Sequence, residues 1–122
     1  MREATVARLE VENERSRAME LNEFQLYYQP KVELQSGRIA GLEALIRWCH
    51  PTQGIILPGR FIQVAEDTGQ IVPIGEWVLQ EACTKLKEWQ DKYGLDRSFC
   101  VSVNVSSRQL AQSRFVERLQ EI

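Results

Sequence analysis

The sequence predicts an α/β domain: a parallel sheet covered by helices, with one antiparallel strand at its start. Three observations carry this. Two stretches with apolar residues at period two, residues 24–34 and 38–48, flank the short turn Ser36-Gly37, and a connection that tight joins antiparallel neighbours. Ile74, Val78, Ala82, Leu86, Trp89 and Tyr93 then recur at spacings of three or four, which lines one face of a helix. A third alternating stretch, residues 99–106, comes after that helix and completes the strand–helix–strand unit of a parallel sheet.

Each element has its own reason. Residues 3–22 read as a charged, polar helix whose apolar positions (Val6, Leu9, Val11, Ala18, Met19, Leu21) form no clean stripe. It reads equally as a connector from an upstream domain and as a solvated arm. In 24–34, Phe24, Leu26, Tyr28, Pro30, Val32 and Leu34 share one face; Gln25, Tyr27, Gln29, Lys31 and Glu33 share the other. Pro30 has no N–H to give a ladder, so this strand belongs at an edge or is irregular there. In 38–48, Ala40, Leu42, Ala44, Ile46 and Trp48 face one way, and Ile39, Gly41, Glu43, Leu45 and Arg47 the other. His50-Pro51 to Pro58-Gly59 is punctuated as loop. Residues 59–67 form a short helix closed by Gly69. The long helix starts around Pro73, which suits a first turn, and ends at Gly94 as its cap. In 99–106, Phe99, Val101, Val103 and Val105 oppose Cys100, Ser102, Asn104 and Ser106. Ser107 is placed to cap a last helix from about Arg108, inside which the sequence stops at Ile122 with no end signal.

Composition limits the function classes. The 122 residues suit one ordinary domain. With 43% hydrophobic and 26% charged residues the chain reads as globular rather than disordered. Fifteen basic against seventeen acidic residues leave a net charge of −2, so there is no basic field for a nucleic-acid polymer or an anionic membrane. The apolar runs are too short to span a bilayer, and the N-terminus is too charged for a signal peptide. Cys49, Cys83 and Cys100 are odd in number and scattered, which argues against a disulfide framework or zinc site and fits a reducing cytosol.

The polar faces of the strands hold the residues that could do chemistry. If helices cover the apolar faces, Gln29, Glu43, Arg47 and Asn104 turn toward one interior. A carboxylate and an amide oxygen suit a hard cation such as Mg²⁺ or Mn²⁺. A guanidinium and a second amide suit a phosphate and a base edge. Glu43 and Arg47 are four strand residues apart, about 13 Å, too far to neutralise each other. An antiparallel sheet with one solvated face shows the same alternation, so the pattern alone leaves both readings open. His50 beside Cys49 belongs more simply to the turn at Pro51 than to a metal. Trp48, Trp77 and Trp89 are most simply packing residues.

A resemblance separates the two readings. Y-Y-Q-P-K-V at 27–32, G-L-E-A-L-I-R-W at 41–48, H-P at 50–51, L-P-G-R-F-I at 57–62, A-E-D-T-G at 65–69, I-G-E-W-V-L at 74–79 and S-V-N-V-S-S-R-Q-L at 102–110 together resemble the start of an EAL domain, in family order and spacing. That family comprises bacterial cyclic di-GMP phosphodiesterases, built on a modified (β/α)₈ barrel of TIM type with an antiparallel first strand. The resemblance implies that Glu43 is a catalytic divalent-metal ligand (Mg²⁺ or Mn²⁺) and Asn104 a second ligand. It implies that Gln29, Leu45 and Arg47 hold cyclic di-GMP, with Arg47 directed at phosphate. The implied reaction is metal-assisted hydrolysis of one diester bond to the linear dinucleotide. The 1–22 helix is similar to the connector after a GGDEF-type domain, and 23–122 correspond to the N-terminal half of an EAL domain.

A whole barrel of this type needs roughly 250 residues. The resemblance places further acidic ligands and a catalytic lysine beyond residue 122. The expectations are therefore a partial barrel, no hydrolysis by these residues alone, and homodimerisation or strand exchange across open edges. The alternative function is a degenerate EAL module that binds cyclic di-GMP or a protein partner without cleaving it.

Overall fold

The computed structural model describes residues 22–122. The connector helix expected over 3–22 falls, but for its last residue, outside the described residues. Strands β1 (Phe24–Val32) and β2 (Ile39–His50) form the expected antiparallel pair. The chain turns between them through Gly37 at φ 72°, a left-handed value that glycine takes without strain. β2 runs two residues past Trp48, the partner of Phe24, and its last three residues pair antiparallel with a short strand β3 (Gly54–Ile56). β3 was expected to be loop. Its three residues are too few to show a period.

After a 3-10 turn at Pro58–Arg60 come helices α1 (Ile62–Thr68) and α2 (Ile71–Tyr93). α1 stops at Gly69 (φ 85°) and α2 at Gly94 (φ 61°), both left-handed caps, as their positions in the sequence imply. Pro73 sits in the first turn of α2, where its missing N–H costs nothing. Strand β4 (Cys100–Val103) then pairs parallel with β2. It is shorter than the expected 99–106, because Ser106 leaves the ladder to cap helix α3 (Ser107–Leu110). The cap is thus Ser106 rather than Ser107: Gln109 lies three residues after Ser106 and completes a reciprocal capping box. The expected single last helix is two, α3 and α4 (Phe115–Glu121).

β2 is the middle of the sheet. β1 holds one of its edges, and β4 and β3 follow one another along the other. Among the described residues β1 pairs only with β2, so Pro30 sits in an edge strand, and a bulge follows between Lys31 and Val32. The core lies between one face of this sheet and helices α1 and α2. Phe24, Trp48, Ile56, Phe61, Ala65, Ile71, Ile74 and Val78 are buried there, with Leu26, Ile46, Trp77 and Val103 packed against them. Phe24 contacts Trp48, Phe61 and Trp77 at ring-centroid distances of 5.7–6.3 Å, in the tilted geometry aromatic pairs favour. Trp89 meets Tyr28 edge-on at 4.9 Å. No helix of the described residues is long and apolar enough to cross a membrane.

Candidate functional site

The helices cover the face that carries Phe24, Ala44 and Trp48. The other face carries the polar residues, and the register says how they line up, because directly paired strand residues point the same way. Gln29 is opposite Glu43 on β1–β2, and Glu43 is opposite Ser102 on β2–β4. Leu45 is opposite Tyr27, and Arg47 opposite Gln25. Asn104 is one residue beyond the last β2–β4 pair, Ala44 with Val103, and two beyond Ser102, so strand alternation gives it the face of Glu43. The structure therefore brings Gln29, Glu43, Leu45 and Arg47 to one side of the sheet, and Asn104 continues the β4 alternation toward them while also lining a cavity with Ala44, Ile74 and Gly75. Asn104 lies just past the C-terminal end of β4, not within the strand.

The surroundings of Arg47 are specific. Its Nη1 donates to the Ile46 carbonyl at 2.9 Å, and its guanidinium lies over the Tyr27 ring at 5.7 Å, a cation–π arrangement. The side chain is half-buried and held near the His50 end of β2, while most of its five donors remain available to a ligand. Glu43 is half-buried, and Gln29 and Asn104 are exposed. Neither Glu43 nor Asn104 makes a side-chain hydrogen bond among the described residues.

Lys31 and Ser102 also belong to this face, and sequence reasoning gave them no role. The Lys31 Nζ donates to Ser102 Oγ, reaching from β1 to β4 across β2. Gly41 lies opposite both Lys31 and Cys100. A Cβ there would sit 2.5 Å from the Cys100 carbonyl oxygen, so glycine permits the close β2–β4 approach. The alternation already put Lys31 on the right face; nothing in it revealed the partner. Tyr27, as the platform for Arg47, was missed for the same reason.

His50, expected in the turn, is instead the last residue of β2, paired with Gly54, and its ring caps the turn that follows. Its Nδ1 accepts the Thr52 and Gln53 N–H groups, both at 3.2 Å. Cys49, Cys83 and Cys100 are free thiols. Among the described residues no three or more His, Cys, Asp or Glu side chains gather as a metal cluster. Glu43 and Asn104 are oxygen donors of the kind a hard divalent cation takes, and they fit as part, not all, of its shell.

Comparison with known proteins agrees with this geometry. The family model for the EAL domain matches residues 12–122. Over 100 residues the chain is 46% identical to the bifunctional diguanylate cyclase/cyclic di-GMP phosphodiesterase MucR of Pseudomonas aeruginosa, covering 82% of this chain and 14% of that protein. The solved MucR phosphodiesterase in complex with c-di-GMP superposes with a TM-score of 0.85 at 41% identity, over 92% of this chain and 44% of that one. The EAL enzyme Bd1971, bound to cAMP and cyclic di-GMP, gives a TM-score of 0.89 at 35% identity, over 97% and 33%. The chain thus spans about a seventh of MucR and less than half of either solved chain. A family match over most of its length, and a shared fold at substantial identity, show that the chain belongs to the EAL domain family.

Proposed function

We propose that these residues form the first part of a cyclic di-GMP phosphodiesterase site, within a partial TIM-type barrel. The observation that carries this is the register: Gln29, Glu43 and Ser102 stand side by side across three strands, with Arg47 on the same face, Asn104 just past the end of β4, and helices α1 and α2 on the other face. In this reading the Arg47 guanidinium, braced on Tyr27, binds a diester phosphate, and the Gln29 amide and Leu45 hold the dinucleotide. Glu43 and Asn104 would hold Mg²⁺ or Mn²⁺, which when bound would supply Lewis-acid chemistry: a more acidic water and charge stabilisation at the leaving oxygen. Two ligands seldom retain a catalytic cation, so the 122 residues alone bind the dinucleotide without cleaving it; the remaining ligands and the catalytic lysine come from the rest of the domain. The domain sits in the cytoplasm after an upstream GGDEF-type domain, and the open face and free strand edges favour a homodimer.

The test is calorimetry of the chain with cyclic di-GMP and Mn²⁺, with product analysis by chromatography. The unsubstituted chain binds and yields no linear dinucleotide. Arg47→Ala weakens binding by about 10- to 100-fold, the worth of a hydrogen bond to a charged group. Glu43→Gln removes the Mn²⁺ dependence. Equal affinity in all three proteins contradicts the site; turnover at an ordinary enzymatic rate contradicts the claim that the site is partial.

A further inference from the structure

The Asn104 side chain makes no hydrogen bond among the described residues and is exposed. Its position therefore depends on the backbone to either side. On one side is the β4 ladder, which ends at Val103. On the other, two residues later, Ser106 begins an unusually well-anchored segment.

Ser106 and Gln109 are joined twice. The Gln109 N–H donates to Ser106 Oγ at 3.2 Å, and the Ser106 N–H donates to Gln109 Oε1 at 3.0 Å. Gln109 is 4% exposed, the single buried polar or charged residue among the described ones. Its carboxamide lies against Gly75 of α2. A Cβ at Gly75 would fall 1.7 Å from Nε2 and 2.3 Å from Cδ, so only glycine leaves room for it. The adjacent Arg108 reaches the opposite way. Its Nη1 donates to the Glu66 carbonyl, and to that of Asp67 at 3.3 Å, where α1 ends. It also passes Gly69, whose absent Cβ would lie 3.3 Å from Nη2.

We infer that Gln109, seated on Gly75 and locked to Ser106, is a positioning residue that fixes Asn104 at the end of β4, two residues past the Ser102 that pairs with Glu43. The role of Asn104 as a ligand rests on the proposed function above; the positioning itself does not. The capping box fixes the Ser106 N–H and hydroxyl, the buried amide has its oxygen satisfied by the Ser106 N–H, and the intervening Val105 leaves the backbone little slack.

The test uses ¹⁵N relaxation of the 122-residue chain and three variants. Gly75→Ala raises the helix propensity of α2 yet expels the Gln109 carboxamide. Ser106→Ala removes the hydroxyl, and Ser106→Thr restores it. The unsubstituted chain and Ser106→Thr give an order parameter at Asn104 of about 0.85, that of rigid backbone; Gly75→Ala and Ser106→Ala drop it below about 0.6, with Glu43 unchanged. An unaltered order parameter at Asn104 in both disrupted variants overturns the inference, as does an equal fall at Glu43. Should Gly75→Ala fail to fold, the Ser106 pair decides. Added Mn²⁺ separates the two levels of the argument. Broadening of both Glu43 and Asn104 amides in the unsubstituted chain, lost several-fold at Asn104 alone in the disrupted variants, supports both. No broadening anywhere removes the metal role of Asn104, while the order parameters still judge the positioning.

Discussion

The phenol of Tyr28 is the buried side-chain polar atom without a hydrogen-bond partner among the described residues. It faces the helices, edge-on to Trp89. Burial, with the charge of Glu81 second, pushes its pKa from 10.0 up to about 12. Between those values the unfolded chain has lost the phenolic proton and the folded chain keeps it. The unfolded state then binds fewer protons, so stability falls as pH rises from about 10 to about 12. Tyr28→Phe removes a hydroxyl that has lost its water and gained nothing, so it stabilises the fold by roughly 1 kcal/mol at pH 7. The gap between the two proteins widens above pH 10. Urea denaturation at pH 7 and pH 11 checks this; a gap that does not widen shows that the phenol titrates equally in both states. At the same scale, Gln29, Glu43, Arg47 and Asn104 were legible as residue types on one strand face. The Lys31–Ser102 contact and the stacking of Arg47 on Tyr27 were not, because they join strands whose register no period reveals.

Among the elements, the long helix α2 was the most legible, since its stripe and its Gly94 cap agree. The aromatic anchor was legible only in part. Phe61, expected inside the short helix over 59–67, stands just before α1 and is fully buried against Phe24 and Trp48. Phe61→Ala leaves a cavity between sheet and helices and costs about 3–5 kcal/mol. A loss under 1 kcal/mol in denaturant titration would mean that the sheet and α1 do not share this core. β3 escaped notice for want of length, and β4 was overread. The alternation runs on through Val105, but Ser106 is committed to its box with Gln109, and a capping residue cannot also extend a ladder. The break between α3 and α4 has no glycine or proline in it; Gln112 and Ser113 give no warning.

For the whole molecule, the order of elements and the antiparallel start were readable, whereas the choice between a solvated face and a site face was not. Period two says only that the faces differ. It takes the placement of α1 and α2, both against the face of Phe24 and Trp48, to show which face is left for a ligand. That open face has a further consequence. Among the described residues β4 pairs with β2 alone, and Val32, Leu34 and Ile39 are exposed at the hairpin end. Unpaired edges and apolar patches promote association. Light scattering of the chain is expected to show a mass of at least a dimer at micromolar concentration, and a strict monomer would remove the homodimer from the account.

The central claim is that a dinucleotide and a divalent cation meet this chain on the face of Glu43 and not on that of Trp48. Amide chemical shifts during titration with cyclic di-GMP and Mg²⁺ test it most directly. The account predicts shifts concentrated at Gln29, Glu43, Leu45, Arg47 and Asn104, with Ala82 and Leu86 on α2 unmoved. Shifts spread evenly over the helices, or none at Glu43 and Asn104 at saturating ligand, would contradict it.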